Sequence, residues 1–281
     1  MILFKKIDDI NTFLYQKKKE GNSVGFVPTM GALHQGHISL IAKSKLVNSI
    51  TVSSIFVNPA QFNNPKDFEK YPITLEKDID FLETAGCDVL FLPSVNEIYP
   101  AGFNNLKHYN LGYLETVLEG KYRPGHFQGV CRVVHRLLDI VKPYNLYLGQ
   151  KDYQQCMIIK KLIGLVHSKA NVVICSTLRE ADGLAMSSRN MRLNEQERKQ
   201  AVKISETLSF VKREIKPGHI VDLKEKAAYY LSAEGFRVDY VAIAATDTLE
   251  LLEYWDGKKN IVALVAAYLN EVRLIDNMLL N

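Results

Sequence analysis

The chain has 281 residues, of which 47% are hydrophobic and 23% charged, a composition that places it with ordinary globular proteins and argues against wholesale disorder. Its 35 Lys and Arg are interleaved with 31 Asp and Glu, for a net charge of +4, which suits an anionic small substrate and gives little support to nucleic-acid binding. No stretch supplies the roughly 20 continuous apolar residues of a membrane span, and Met1 to Asp9 lack the apolar core and cleavage site of a signal peptide, so a cytoplasmic protein without membrane partners is expected.

In chain order, an amphipathic stretch first ends in Lys17-Lys18-Lys19 and is answered by Glu20, which reads as a solvated helix end. Runs rich in Val, Ile and Phe follow at Ser23 to Pro28, Ser49 to Val57, Asp88 to Leu92, Tyr144 to Leu148 and Val172 to Cys175, and these read as strands. Between them Ser39 to Leu46, Leu75 to Ala85, Val130 to Val141 and Gln154 to Val166 carry helical period. The alternation predicts an α/β fold, a Rossmann-like doubly wound parallel sheet with right-handed crossovers. The pattern changes after about residue 176: Asn194 opens a charged helix to Lys216, Pro217-Gly218 breaks it, and Val221 to Glu234 forms another. Apolar stretches at Val238 to Ala244, Ile261 to Leu269 and Val272 to Ile275, with Asn270-Glu271 able to turn between the last two, predict a smaller α+β domain with an antiparallel sheet. The expected division is residues 1–176 and 177–281. Cys87, Cys131, Cys156 and Cys175 are far apart and form no CxxC pair, which argues against a disulfide framework or a cysteine-based zinc site.

In an open parallel sheet, ligands sit outside the carboxyl ends of the strands. That rule selects Thr29 to His37, Asn58 to Phe62, Gly149 to Asp152 and the segment from Ser176 onward. His34 and His37 form HxGH between a strand and a helix, with Gly31 and Gly36 permitting close backbone approach. Helix N-terminal N–H groups and two imidazoles are a binding place for phosphate oxygens; a loop-packing pair is the bland alternative, and a metal site lacks an evident third ligand. Neither GxxxxGK[ST] nor GxGxxG occurs. Lys151 can neutralise phosphate charge, while Asp152 can accept from a ribose hydroxyl, hold a metal-bound water or cap the helix. The segment Met186-Ser-Ser-Arg-Asn190 offers hydroxyls and a guanidinium to leaving phosphates, although such a tripeptide alone mostly marks a surface turn. Gln61 and Gln155 are neutral amides that can bind hydroxyls and a carboxylate, or simply be solvated.

The text PTMGALHQGH at 28–37, SIFVNPAQF at 54–62, RPGHFQGV at 123–130, GQKDYQQ at 149–155, READGLAMSSRN at 179–190 and LVAAYLNEVRLIDN at 264–277 resembles the pantothenate synthetase family along nearly the whole chain. The resemblance implies adenylation of pantoate by ATP, with Mg²⁺ accompanying the nucleotide, then transfer of the pantoyl group to β-alanine, by a homodimer. It implies ATP binding by Met30, Gly31, Ala32, Leu33, His34, Gln35, Gly36 and His37, by Gly149, Gln150, Lys151 and Asp152, and by Leu178, Met186, Ser187, Ser188 and Arg189. His37, His34, Lys151 and Arg189 would be catalytic, Gln61 would touch pantoate and β-alanine, and Gln155 would hold pantoate. Lys66, Ile73, Gln128, Gln150 and Arg192 depart from the family's usual wording and put peripheral charge pairs in doubt. The alternatives are another HxGH adenylyltransferase with a phosphate or mononucleotide acceptor, and a noncatalytic nucleotide-binding relative.

Overall fold

Strands covered on both faces are mostly apolar, because neither face meets water, and a hydroxyl buried there needs a hydrogen bond. Val24 to Thr29 and Ile50 to Ile55 are buried at every position but Pro28, and the hydroxyls of Thr29, Thr51 and Ser53 are hydrogen-bonded to the Ser54 carbonyl, to Ser44 and to the Val27 carbonyl. In the computed structural model, which describes residues 1–62, 65–103 and 106–281, these runs form the centre of a six-stranded sheet. The side chains of Pro65 and Lys66 lie outside the described residues, and with them the departure at Lys66.

The chain divides into two compact units, residues 1–149 with 158–176, and residues 150–157 with 177–281. The first unit runs β1 (Ile2–Phe4), α1 (Ile7–Lys19), β2 (Val24–Thr29), α2 (Gln35–Lys45), β3 (Ile50–Ile55), α3 (Pro65–Glu69), α4 (Leu75–Thr84), β4 (Val89–Phe91), α5 (Val95–Ile98), α6 (Leu118–Tyr122), α7 (His126–Val141) and β5 (Asn145–Gly149). Helix α8 (Tyr153–Leu165), which begins in the second unit, leads to β6 (Asn171–Cys175). The strand order is β1-β4-β3-β2-β5-β6 and every pairing is parallel. This is the doubly wound sheet that the alternation predicts. The winding reverses between β2 and β5, and the loop leaving β2 at Thr29 therefore opens at the switch point, where such sheets bind ligands.

Helices α2 and α7 each start four residues before their predicted apolar onset. Their first turns are built from cap residues instead: His34 caps α2, and Gly125, at φ 80°, leads into α7. The three lysines do end α1, but they are not uniformly solvated. Lys18 reaches the far end of α7 and donates to the carbonyls of Val141 and Lys142 at 2.7 and 2.8 Å, because those last carbonyls lack helical partners. Burial, then the neighbouring Lys142 charge, pulls the Lys18 ammonium below its usual value.

The second unit contains α9 (Glu195–Ala201), α10 (Lys203–Glu214), β7 (Gly218–His219), α11 (Val221–Ala233), β8 (Arg237–Ala245), β9 (Tyr254–Trp255), β10 (Ile261–Leu269) and β11 (Val272–Leu279). Asn194 and Glu197 form a reciprocal capping box at 2.9 Å in each direction, and the charged segment breaks at Val202 into two helices. It ends at Glu214, since the residue before Pro217 is pushed out of the helical region. Strands β11, β10 and β8 make an antiparallel sheet, and Asn270, at φ 49°, supplies the left-handed turn between β10 and β11. Ile204, Leu208, Leu231, Ile243, Val265 and Leu274 form its core with α10 and α11, each such side chain contributing roughly 1.5–3 kcal/mol. Among the described residues, no helix is long and apolar enough to cross a membrane.

Candidate active site

The chain turns sharply where β2 ends. Thr29 accepts through Oγ1 from the Gly31 N–H at 3.2 Å, and Gly31 and Ala32 follow at φ 81° and 49°. Two consecutive left-handed residues aim consecutive N–H groups inward, and a buried acceptor meets them: Asp78 takes the Ala32 N–H on Oδ2 at 2.9 Å and the Leu33 N–H on Oδ1 at 2.7 Å. Thr74 adds a hydroxyl at 3.0 Å. Asp78 is 1% exposed, and it is absent from the sequence reading. Glycine is required at 31 on two grounds, its φ and a Cβ that would lie 3.0 Å from Asp78 Oδ2. A cleft of about 270 Å³ lies alongside, lined by Met30, Phe56 and Asp78, with Ile73 82% exposed at its rim.

His34 and His37 then cap α2 against each other. His34 Nδ1 accepts from the Gly36 N–H at 3.1 Å, His37 Nδ1 accepts from the His34 N–H at 3.3 Å, and the rings lie 4.1 Å apart. An Nδ1 that accepts leaves the proton of a neutral ring on Nε2. Both imidazoles thus carry Nε2–H donors at a helix N-terminus, the chemistry suited to phosphate oxygens. Gln35, between them, points out and is exposed.

Gln61 joins this group: its Nε2 lies 2.7 Å from Met30 Sδ. Its backbone carbonyl lies 2.7 Å from His126 Nδ1 of α7, and its side chain is held in turn. Asn58, fully buried, donates to Gln61 Oε1 at 3.2 Å and to the Gly129 carbonyl at 3.1 Å, and accepts from Tyr99 Oη at 3.0 Å. Burial pushes the Tyr99 phenol up to about 12, which keeps it a donor. Gly129 of α7 is packed so closely that a Cβ would lie 2.0 Å from the Ala60 carbonyl oxygen and 2.6 Å from Gln61 Cα. Gln128 beside it exchanges hydrogen bonds at 3.0 Å with the Tyr109 backbone N–H and carbonyl and donates to Glu115, so this departure fills a defined buried position.

The second unit holds the remaining candidates except Gly149. Gln150, Lys151 and Asp152 form a 3-10 turn before α8. Lys151 Nζ lies 4.0 Å from Asp152 Oδ1, and Asp152 is the more exposed of the two. Gln155 is half-buried on α8, beside the buried Gln154. The segment after Leu178 is pinned, not loose: Arg179 bridges Ala185, the Met186 N–H donates to the Leu178 carbonyl at 3.1 Å, and Asp182 binds Arg198 at 2.7 Å. Ser187 caps a 3-10 helix spanning Ser188–Arg192, with Ser188 buried, so Arg189 sits in a fixed turn. Arg179 makes a bidentate pair with Asp276 at 2.6 and 3.0 Å, and Asn277 donates to the carbonyls of Gln150 and Lys151. Burial pushes the Asp276 carboxyl up, and Arg179 pulls it back. A signal for both residues exists in the sequence. Neighbours in a strand face opposite ways, so Asp276-Asn277 inside an apolar strand must bury a polar group. Gly149, which precedes this turn, ends β5 in the first unit.

Residues 2–279 match the family described as pantoate-beta-alanine ligase. A pantothenate synthetase of Cytophaga hutchinsonii is 44% identical over 283 residues, covering 100% of this chain and 99% of the relative, and one of Bacteroides fragilis is 42% identical over 280 residues, covering 99% and 98%. The solved pantothenate synthetase of Thermus thermophilus superposes with a TM-score of 0.90 at 38% identity, covering 99% of each chain. A pantoate-beta-alanine ligase from Francisella tularensis, complexed with beta-gamma ATP and beta-alanine, gives 0.84 at 40% identity, covering 99% and 97%. With this agreement over its whole length, the chain belongs to the pantoate–β-alanine ligase family, whose members are ATP-using ligases.

Proposed function

We propose that the chain condenses (R)-pantoate with β-alanine through a pantoyl-adenylate intermediate, releasing pyrophosphate and AMP. The observation that carries this reading is the reciprocal histidine cap, which commits both Nδ1 atoms to backbone N–H groups and turns two Nε2–H donors to phosphate chemistry. In the first step a pantoate carboxylate oxygen bonds to the α-phosphorus as the bond to the pyrophosphate oxygen breaks. His34, His37, Lys151 and Arg189 stabilise the charge that moves onto the leaving oxygens, each at roughly 2–4 kcal/mol. In the second step the β-alanine amine attacks the acyl carbon, AMP leaves, and the amine loses a proton. No protein nucleophile is needed, because positioning supplies much of the rate.

ATP binding is assigned to Met30, Gly31, Ala32, Leu33, His34, Gln35, Gly36, His37 and Gly149 in the first unit, and to Gln150, Lys151, Asp152, Leu178, Met186, Ser187, Ser188 and Arg189 in the second. Gln61 is assigned to pantoate and β-alanine, and Gln155 to pantoate. Residues 1–176 act as the catalytic domain and 177–281 as the lid, which guards a hydrolysis-prone adenylate from water. Mg²⁺ would arrive on the ATP phosphates with its water shell, and half-exposed Asp152, a hard oxygen donor, would hold one such water. The ion supplies Lewis-acid charge neutralisation at the phosphates. The family resemblance supports a homodimer and a cytoplasmic location.

The deciding assay is AMP and pyrophosphate release with ATP, pantoate and β-alanine. Dependence of AMP release on both acids is expected. Turnover with a phosphate or mononucleotide acceptor in their place, or none with any acceptor, sinks the reading.

A further inference from the structure

The Lys151 assignment leaves a physical problem. A lysine carries a flexible four-carbon stem, so the protein can direct its ammonium only by fixing the direction in which the stem leaves the backbone. Two peptide planes set that direction, the one before Lys151 and the one after it, because each peptide unit is rigid and only φ and ψ at Lys151 remain. The oxygen of the first plane is the Gln150 carbonyl, and the oxygen of the second is the Lys151 carbonyl. Both accept hydrogen bonds from one nitrogen, Asn277 Nδ2, at 2.9 and 2.8 Å.

Asn277 lies 127 positions along the chain from Gln150, on β11, and it is 2% exposed. Its amide orientation is dictated, since backbone carbonyls can only accept and the face toward them must be the NH₂. Oδ1 then faces Gln150, whose Nε2 donates to it at 3.2 Å. The Asn277 backbone is held as well: its N–H donates to Asp276 Oδ1 at 2.7 Å and its carbonyl accepts from Arg179 at 3.2 Å. Every polar atom of this residue is thus committed, which is the condition under which a buried amide fixes a neighbour.

We propose that Asn277 is the positioning residue for Lys151: one side-chain amide locks the two peptide planes flanking it, and Gln150 orients that amide. The proposal rests on Lys151 contacting ATP. Asn277→Ala is expected to lower kcat/KM for ATP by 10- to 100-fold, as small misplacements of a charged group do, with KM for β-alanine moving less than twofold. In a Lys151→Ala background the same change should cost less than twofold more, since a residue acting through Lys151 has nothing left to position. A purely structural role would make the two losses multiply, and multiplication overturns the proposal. Gln150→Leu removes the donor to Oδ1 and should reproduce part of the Asn277→Ala loss. If Asn277→Ala does not fold, Asn277→Ser retains one donor in a smaller side chain and serves in the same cycle. If Lys151→Ala is itself silent, the ATP role falls, and a crystal structure of the Asn277 variant then decides the positioning: rotated planes at 150–151 support it, and unmoved planes overturn it.

Discussion

The two units hold the loops proposed to bind ATP by opposite devices. In the first, residues 31–33 turn N–H groups inward, and the buried carboxylate of Asp78 accepts from two of them. In the second, residues 150–151 turn carbonyls inward, and the neutral amide of Asn277 donates to both. The difference follows from what each loop exposes. An acceptor buried under N–H groups gains from being charged, because hydrogen bonds to an ionised group are about twice as strong. A cation under the carbonyls beside Lys151 would instead repel that lysine, so a neutral donor is the compatible choice. Charge is not absent from the second unit; it is moved one residue along, into the Arg179–Asp276 pair.

That pair gives the largest expected effect. Asp276→Ala leaves the Arg179 guanidinium without its bidentate partner in a largely buried place, and losing one member of such a pair costs about 3–5 kcal/mol. Denaturant unfolding should show a matching loss of stability. An unchanged midpoint would break the claim that charge serves as framework there. Next comes His37→Ala, expected to lower turnover by about 10²-fold or more while stability falls only by the roughly 1 kcal/mol of a lost helix cap; equal turnover would remove His37 from the chemistry. Asp78→Asn sharpens the contrast directly. The amide keeps one acceptor but sets an N–H₂ against a backbone N–H, leaving buried donors opposed at roughly 1–3 kcal/mol. Activity and stability should fall together, whereas a neutral outcome would mean that the anionic character of the first device is irrelevant.

How much of this is legible in the sequence differs by kind of residue. The sheet is legible because short runs rich in Val, Ile and Phe alternate with segments of helical period, although β3 also buries Thr51, Ser53 and Ser54. Helix starts are less so, since α2 follows His34 and α7 follows Gly125, before the first apolar residue of either. The histidines stand out by spacing and by their place after a strand. Asp78 does not: Glu76 and Asp80 in the same helix look equivalent to it, and only the fold brings it to Ala32, 46 positions away. Asn277 was hidden by distance in the same way, although the polar pair in an apolar strand marks it as buried.

The smallest expected effect tests whether burial sets the strength of these devices. Lys18 repeats the motif of Asn277 in the first unit, one side-chain nitrogen donating to two successive carbonyls, at 2.7 and 2.8 Å. It differs in being only partly buried and in serving a helix end that water can also reach. Lys18→Met keeps the apolar stem and should cost about 1 kcal/mol, the net worth of an ordinary hydrogen bond, with no change in KM for ATP. Burial lowers the Lys18 ammonium from 10.5 in the folded chain, so between its folded value and 10.5 the unfolded chain binds more protons. Stability from this group therefore rises with pH through that window, and the methionine variant should lose that slope. A loss as large as that of Asp276→Ala, measured by denaturant unfolding at neutral pH, would show that burial does not separate the two cases.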